Sequence, residues 1–186
     1  MNILNILFKI IIQFFILYIY MNLQIHNFTI NNKIKKEYIC TNHLGNNFSP
    51  KITWNIFNKA KSYALILEDP NAINGTFVHW YIPYISNNIL GINKLNHNYN
   101  IKNDKYFIQG KNTLSELGYH GPCAPNKVNH NYIFIIYSLD GKLKISNDIL
   151  SIKDHYNFED ILKNNKINIL NKESKTFQYS YMNYYV

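Results

Sequence analysis

Short runs of apolar residues, separated by polar turn-forming residues, make up most of the chain from residue 28 onwards. Runs of this length that are rich in Ile, Val, Tyr and Phe are typical of β-strands. They predict five strands, at residues 34–40, 62–68, 76–84, 105–109 and 131–139. Because no helices alternate with these strands, the pattern favours a mainly β fold in which antiparallel sheets pack as a sandwich.

One segment near the end of the chain has helical rather than strand periodicity. Phe158, Ile161 and Leu162 follow the i, i+3, i+4 spacing of an apolar helix face. Asn157 is placed to cap the N-terminus, and two acidic residues then fall in the first turn. The pattern predicts a C-terminal helix that packs on the sandwich. The tyrosine-rich residues 177–186 alternate weakly and predict a last strand.

A hydrophobic segment precedes the strand-rich part. Residues 3–20 are apolar except for Asn5, Lys9 and Gln13, and the unbroken part is shorter than the roughly 20 residues of a membrane helix. The segment is typical of a secretory signal, but the usual small-residue cleavage site is missing, so an uncleaved anchor or a buried first element stays open. We expect residues 1–20 to be a signal or anchor and 21–186 to be one domain.

This segment predicts a protein of the secretory pathway or one associated with a membrane, with a cytoplasmic location as the alternative. The formal net charge is +8, and all nineteen basic residues are Lys. Since these lysines are scattered and Arg is absent, we expect no nucleic-acid partner. Some attraction to acidic membrane surfaces stays open.

Candidate chemistry lies where polar residues end or interrupt apolar strands. The chain has no G-x-S-x-G, H-E-x-x-H, P-loop or G-x-G-x-x-G motif, so neither an enzyme nor a cofactor is expected. Because side chains alternate along a strand, His79 should share a face with Phe77 and Tyr81, and His130 a face with Tyr132.

These histidines allow two interpretations. Each alone is typical of a half-buried core residue, but both together with Asp69 and the loop 121–125 favour a small-anion site. Imidazoles donate hydrogen bonds to phosphate or carboxylate, and the loop amides would form a nest. Protonation of His79 or His130 would then make anion affinity rise as the pH falls through the histidine range.

Three blocks of sequence resemble the phosphatidylethanolamine-binding protein family, in its bacterial, Raf-kinase-inhibitor-protein-like form. They occur in order over about residues 28–140. The blocks are G-N-N-F-S-P at 45–50, L-E-D-P-N-A at 67–72 with G-T-F-V-H-W at 75–80, and G-Y-H-G-P-C-A-P at 118–125 followed by H-N-Y at 130–132. The chain departs from the family pattern at Asn71 (an Asp in the family), Ile73 and Ala124 (Pro), and Asn131 (commonly Arg).

The resemblance implies a sandwich of one large and one small antiparallel sheet with C-terminal helical packing. It also implies a pocket for phosphate, acetate or phosphoethanolamine-like anions. That ligand-binding pocket would comprise Asp69, His79, Gly121, Pro125, His130 and Tyr132. The expected partner is therefore a phospholipid headgroup or small phosphorylated anion, and because family members also modulate kinases and proteases, a protein partner of either kind stays open.

Two other functions compete with this interpretation. An interaction domain with a vestigial pocket would also fit the family pattern, given Asn71 and Ala124. A metal-dependent hydrolase would use Asp69 with His79, His120 and His130, although their spacing matches no metal motif. Cys40 and Cys123 have no C-x-x-C spacing, and the sequence leaves their pairing open.

Overall fold

The computed structural model describes residues 22–57, 59–86, 91–92, 106–125 and 128–180. Its strands are β1 Gln24–His26, β2 Thr29–Ile30, β3 Lys33–Ile34, β4 Lys51–Thr53, β5 Ser62–Asp69, β6 Phe77–Ser86, β7 Gly91–Ile92, β8 Phe107–Ile108, β9 His130–Leu139 and β10 Ile169–Tyr179. The helix α1 spans His155–Asn164. The predicted signal or anchor segment lies outside the described residues, and within them no helix is long and apolar enough to cross a membrane.

The strands form the predicted antiparallel sandwich. The large sheet has the order β10-β9-β5-β6-β8, the small sheet has the order β1-β4-β7, and β2 pairs with β3 as a separate hairpin. Every pairing between these named strands is antiparallel. The mainly β architecture with one large sheet, a small sheet and a C-terminal helix confirms the expected fold class.

Both faces of the large sheet are covered, which explains why its central strands are almost continuously apolar. All eight residues of β5 are buried, as expected of a strand with a packed layer on each side. Strand β10 lies at the edge of the sheet, and its residues alternate between half-buried and exposed. Packing on one side only accounts for the polar sequence of β10. Because of that polar sequence, the strand was not predicted before residue 177.

Two cores result from this layering. The first lies between the large sheet and the N-terminal segments, and it includes Ile25, Ile52, Leu65, Trp80 and Phe134. The second lies on the opposite face of the large sheet, where α1 packs. In that core Phe158 of α1 makes edge-to-face ring contacts with Tyr81 and Tyr137, at centroid distances of 5.6 and 5.3 Å.

The helix begins three residues earlier than the sequence predicts. Its N-cap is Asp154, whose Oδ1 accepts a hydrogen bond from the amide of Asn157 at 2.8 Å. The proposal of Asn157 as the cap was therefore wrong. The apolar face was predicted correctly, since Phe158 and Leu162 are buried and Ile161 is half-buried.

The predicted strand at 34–40 is also wrong beyond its first residue. After β3 the chain forms a 3₁₀ turn at Lys36–Tyr38 and a second at Thr41–His43. The apolar residues Tyr38, Ile39 and Cys40 are buried because another loop crosses this segment, and sheet pairing plays no part. A run of buried residues can satisfy its hydrogen bonds outside a sheet, which periodicity does not reveal.

Candidate functional site

A cavity of about 470 Å³ lies at one end of the central strands of the large sheet. Strand β5 ends there, while β6 and β9 begin there because each pairs with β5 in antiparallel fashion. Five of the six predicted pocket residues line the cavity: Asp69, His79, Pro125, His130 and Tyr132. Their role in ligand binding stays a prediction.

The closest polar contact in the cavity joins the last residue of β5 to the first residue of β9. Nδ1 of His130 lies 2.6 Å from Oδ2 of Asp69, and both side chains are only 4% exposed. An N–H at Nδ1 donates to the carboxylate, which orients the ring and leaves Nε2 as its second polar atom. Because this pair is buried, it is electrostatically stronger than the same pair in water.

Two of the positions that depart from the family pattern, Asn71 and Asn131, make hydrogen bonds next to this pair. The amide of Asn71 donates to Oδ1 of Asp69, and the side-chain oxygen of Asn71 accepts from the amide of Asn131; both distances are 2.8 Å. Asn71 therefore ties the loop after β5 to the start of β9. This contact needs only the amide of residue 131, so Asn131 is compatible with the geometry.

Two hydrogen bonds with the backbone of His120 hold His79 on the other side of the cavity. Nδ1 of His79 donates to the carbonyl of His120, and the amide of His120 donates to the carbonyl of His79, both at 2.8 Å. Burial, as the largest cause, lowers the pKa of His79 to about 3. The ring is therefore neutral, and Nε2 is a hydrogen-bond acceptor. The expectation that His79 becomes a cationic donor in the histidine range was wrong.

A β-bulge sets the direction of His79. Strand register passes from Leu67↔Trp80 to Glu68↔Val78, so His79 is an extra residue without its own partner in β5. The bulge breaks the alternation of side chains at this point. His79 thus reaches the face that carries Trp80 and the first core, while Val78 belongs to the second.

The same bulge changes the neighbours of His79. Its ring lies 4.5 Å from the Phe77 ring and 5.1 Å from the Tyr132 ring, measured between centroids. Tyr81 packs in the second core, on the opposite face. The predicted shared face with Phe77 is confirmed, whereas that with Tyr81 is wrong.

Tyr132 supplies a hydroxyl at the wall of the cavity. Its oxygen accepts a hydrogen bond from the amide of Cys123 at 3.2 Å. Burial raises the pKa of Tyr132 further above its ordinary value of 10, so the group stays protonated. The hydroxyl hydrogen can therefore donate to a ligand.

Gly121 does not line the cavity. Its amide donates to Oδ1 of Asn47 at 2.6 Å, and a Cβ at this position would lie 2.4 Å from the carbonyl oxygen of Tyr38. Glycine is needed here for the close crossing of two backbones. Since the amides of Gly121 and Cys123 both donate to protein oxygens, the predicted anion nest at these positions was wrong.

Further lining residues come from loops that the sequence pattern did not single out. Thr113 and Leu114 are among them, and Ile73 joins them from the loop after Asp69. Oγ1 of Thr113 accepts from the amide of Val78 at 2.8 Å, which links its loop to β6. Loop residues carry no periodicity, so only the turn signals after Asp69 gave any indication of this part of the wall.

The metal site of the hydrolase alternative does not form. Among the described residues, the ligand atoms that come close enough to share an ion belong to Cys40, His43 and Cys123, and not to the predicted histidines of the cavity. The pairing left open by the sequence is present, since Cys40 and Cys123 form a disulfide with a Cα–Cα distance of 5.5 Å.

The low pKa of His79 gives a testable dependence of stability on pH. The unfolded chain takes up a proton at His79 below about pH 6.5, while the native state does not until about pH 3, so stability falls with falling pH in this window. Between about pH 6.5 and about pH 4.5, this difference in proton uptake lowers the free energy of unfolding of the wild type by roughly 2 kcal/mol. The variant His79→Gln lacks the titrating ring, so its free energy of unfolding should fall by roughly 2 kcal/mol less over the same pH range. Urea unfolding at both pH values measures the two losses. Equal losses would contradict the buried neutral ring.

Comparison with known proteins shows to which family the chain belongs. A family model described as phosphatidylethanolamine-binding protein matches residues 24–180. The chain belongs to the phosphatidylethanolamine-binding protein family. That match covers both sheets, the cavity and α1.

Family relatives are similar over most of the same region. A UPF0098 protein of Methanothermobacter thermautotrophicus is 35% identical over 130 residues, which are 67% of this chain and 80% of that protein. A UPF0098 protein of Pyrococcus horikoshii is 32% identical over 131 residues, which are 67% of this chain and 63% of that protein. These names state no activity.

Solved structures of family members share the fold. A phosphatidylethanolamine-binding protein homolog of Chlamydia trachomatis superposes with a TM-score of 0.66 at 25% identity, covering 87% of this chain and 98% of that one. YbcL of Escherichia coli, described as a member of the mammalian family, has a TM-score of 0.71 at 18% identity, covering 86% and 98%. At that identity the second likeness concerns the fold alone.

Proposed function

We propose that this protein is a non-catalytic binder of a phosphoethanolamine-like headgroup. The observation that carries the proposal is the buried Asp69–His130 pair, which shares one cavity with the neutral ring of His79. A buried carboxylate and an acceptor nitrogen favour a ligand with hydrogen-bond donors. Family membership agrees with such a ligand, because the family is named for phosphatidylethanolamine.

Charge separates this ligand from a bare phosphate dianion. No Lys is among the described residues that line the cavity, so no permanent cation there offsets a dianion. Asp69 and Nε2 of His79 accept hydrogen bonds and suit an ammonium group. The Tyr132 hydroxyl donates and suits a phosphate oxygen, and the ring of His130 offers its Nε2 to the same cavity. A zwitterion matches both sets.

The rim of the cavity provides apolar contacts. Ile73 is 84% exposed and Leu114 is 51% exposed, and both line the same cavity. In this proposal they contact the carbon atoms next to the phosphate of the ligand. They also offer a contact surface to a protein partner, such as a kinase or protease, that binds when the site is occupied. We further propose that residues 1–20 direct the protein to the secretory pathway or to a membrane.

Calorimetric titration with phosphoethanolamine tests the binding site. We expect one binding event for the wild type and an affinity at least about tenfold lower for His130→Ala, since a hydrogen bond to a charged group contributes roughly 1.5–3 kcal/mol. Asp69→Asn should weaken phosphoethanolamine more than inorganic phosphate, because it removes the negative charge that faces the ammonium group.

The matched control is His26→Ala. His26 is a part-buried histidine of β1 whose Nε2 lies 2.6 Å from Oγ1 of Thr53, and it does not line the cavity. This variant should bind like the wild type. Wild-type affinity in His130→Ala, or no binding by the wild type, would overturn the proposal and favour an interaction domain with a vestigial pocket.

A further inference from the structure

Three side chains with metal-binding donors meet beside the ligand cavity. The sulfur atoms of Cys40 and Cys123 and a ring nitrogen of His43 all lie within 4.8 Å of one another. The sulfurs form a disulfide, so in this state they stand in for the two thiolates that a metal would require. Cys123 also lines the ligand cavity, which places the cluster in its wall.

Two of the three donors belong to one tight turn. Cys40 directly precedes the 3₁₀ helix Thr41–His43, and the amide of His43 donates to the carbonyl of Cys40 at 3.2 Å. The donor atoms of Cys40 and His43 lie within 4.8 Å of each other, so the two side chains point to the same side of this turn. The backbone thus forms a C-x-x-H pair before any ion is bound.

The third donor is held in place by contacts other than the disulfide. The amide of Cys40 donates to the carbonyl of Pro122 at 3.2 Å, and the Tyr119 hydroxyl donates to the carbonyl of Tyr38 at 2.6 Å. The amide of Gly121 donates to the side-chain oxygen of Asn47, which follows the 3₁₀ helix Thr41–His43. These bonds clamp the segment containing Cys123 across the segment containing Cys40. Breaking the S–S bond therefore leaves the two sulfurs close together.

The histidine is oriented as well. Nδ1 of His43 lies 3.1 Å from the hydroxyl of Tyr179, the last residue of β10, and their ring centroids are 6.2 Å apart. Partners of this kind fix the ring of a metal-binding histidine and tune its affinity. Cys40 is buried, while His43 and Cys123 are half-buried, so the cluster is partly exposed to solvent.

We propose that Cys40, His43 and Cys123 form a thiol-controlled site for a soft divalent ion such as Zn²⁺. An external dithiol breaks the S–S bond by giving two electrons and two protons, and is itself oxidised to a disulfide. The ion then displaces the two thiol protons and binds two thiolates and one imidazole. Zinc prefers these donors, and three protein ligands leave a fourth position for water. The oxidised protein does not bind the ion.

Cobalt spectroscopy tests the site on the full chain. The protein is reduced with a dithiol, freed of it under argon and titrated with Co²⁺ alone. The reduced wild type should bind one ion per chain, with near-ultraviolet thiolate-to-cobalt charge transfer and the visible bands of tetrahedral Co²⁺. The oxidised protein should show neither signal. His43→Ala should weaken binding at least about tenfold, because even outer partners of metal ligands contribute 10–100-fold.

The controls separate a built site from adventitious thiol binding. His26→Ala should match the wild type, and the Cys40→Ser/Cys123→Ser double variant should lose the charge-transfer band. No band in the reduced wild type, equal binding by the oxidised protein, or unchanged affinity in His43→Ala would overturn the proposal. If the reduced apoprotein unfolds, Co²⁺ or Zn²⁺ must restore its circular dichroism, as ligand binding is then coupled to folding; failure to do so would also overturn it.

Discussion

Reduction of the Cys40–Cys123 disulfide should lower the free energy of unfolding by about 4 kcal/mol. The two cysteines are 83 residues apart in sequence, so the cross-link closes a long loop. In the chain-entropy model, closing a loop of this length lowers the entropy of the unfolded chain and so raises its free energy by roughly 4–5 kcal/mol. Urea unfolding with and without a reductant, in metal-free buffer and monitored by circular dichroism, measures the difference.

The double variant Cys40→Ser/Cys123→Ser provides the control for this experiment. Its stability should be as low as that of the reduced wild type and should not respond to the reductant. A loss below about 1 kcal/mol on reduction would mean that the crossing loops remain associated in the unfolded state, contrary to the entropic argument.

Replacement of Gly121 by Ala should destabilise the protein by about 3 kcal/mol. The new Cβ would lie 2.4 Å from the oxygen of Tyr38, 2.6 Å from the carbonyl carbon of Ile39 and 2.7 Å from the nitrogen of Cys40. All three are backbone atoms, so no side-chain rotation relieves the overlap, and overpacking of a tight site typically costs 1–3 kcal/mol or more. Thermal and urea unfolding measure the loss.

Gly141→Ala is the matched control for this substitution. Its Cβ would meet only side-chain atoms of Ile167, the nearest at 3.1 Å, and a small shift of that side chain relieves the contact. We expect a change within about 1 kcal/mol. Equal losses in the two variants would show that the backbone crossing at Gly121 tolerates a side chain.

The central strands could be predicted from the sequence because burial on both faces produces long apolar runs. Strands β5 and β9 were found within one residue of their observed bounds. The edge strand β10 was largely missed, since polar residues such as Lys172 and Glu173 contribute to it and its pairing with β9 supplies the hydrogen bonds that its own composition does not suggest.

The direction of each site residue was harder to predict than its place in the chain. Regular alternation puts His130 on the face of Tyr132, which is correct, but an extra residue in β6 rotates His79 away from Tyr81. A bulge depends on pairing between strands that are distant in sequence, so a single strand pattern does not contain it.

Resemblance to the family identified positions without their individual roles. Five of the six positions line the cavity, but Gly121 acts through a backbone crossing, and its amide is used by Asn47. Likewise Asn71, noted only as a departure, supports Asp69 through its backbone and Asn131 through its side chain. Roles of this kind depend on hydrogen-bond partners that only the folded chain brings together.

The most direct test of the proposed site is ¹⁵N nuclear magnetic resonance of the histidine rings during titration with phosphoethanolamine. If the headgroup binds between His79 and His130, the Nε2 resonances of these two rings should shift together and saturate at one equivalent. His26 and His155, which lie outside the cavity, should keep their positions. Saturable shifts at His26 or His155 with none at His79 and His130 would contradict the assignment of the cavity as the ligand site.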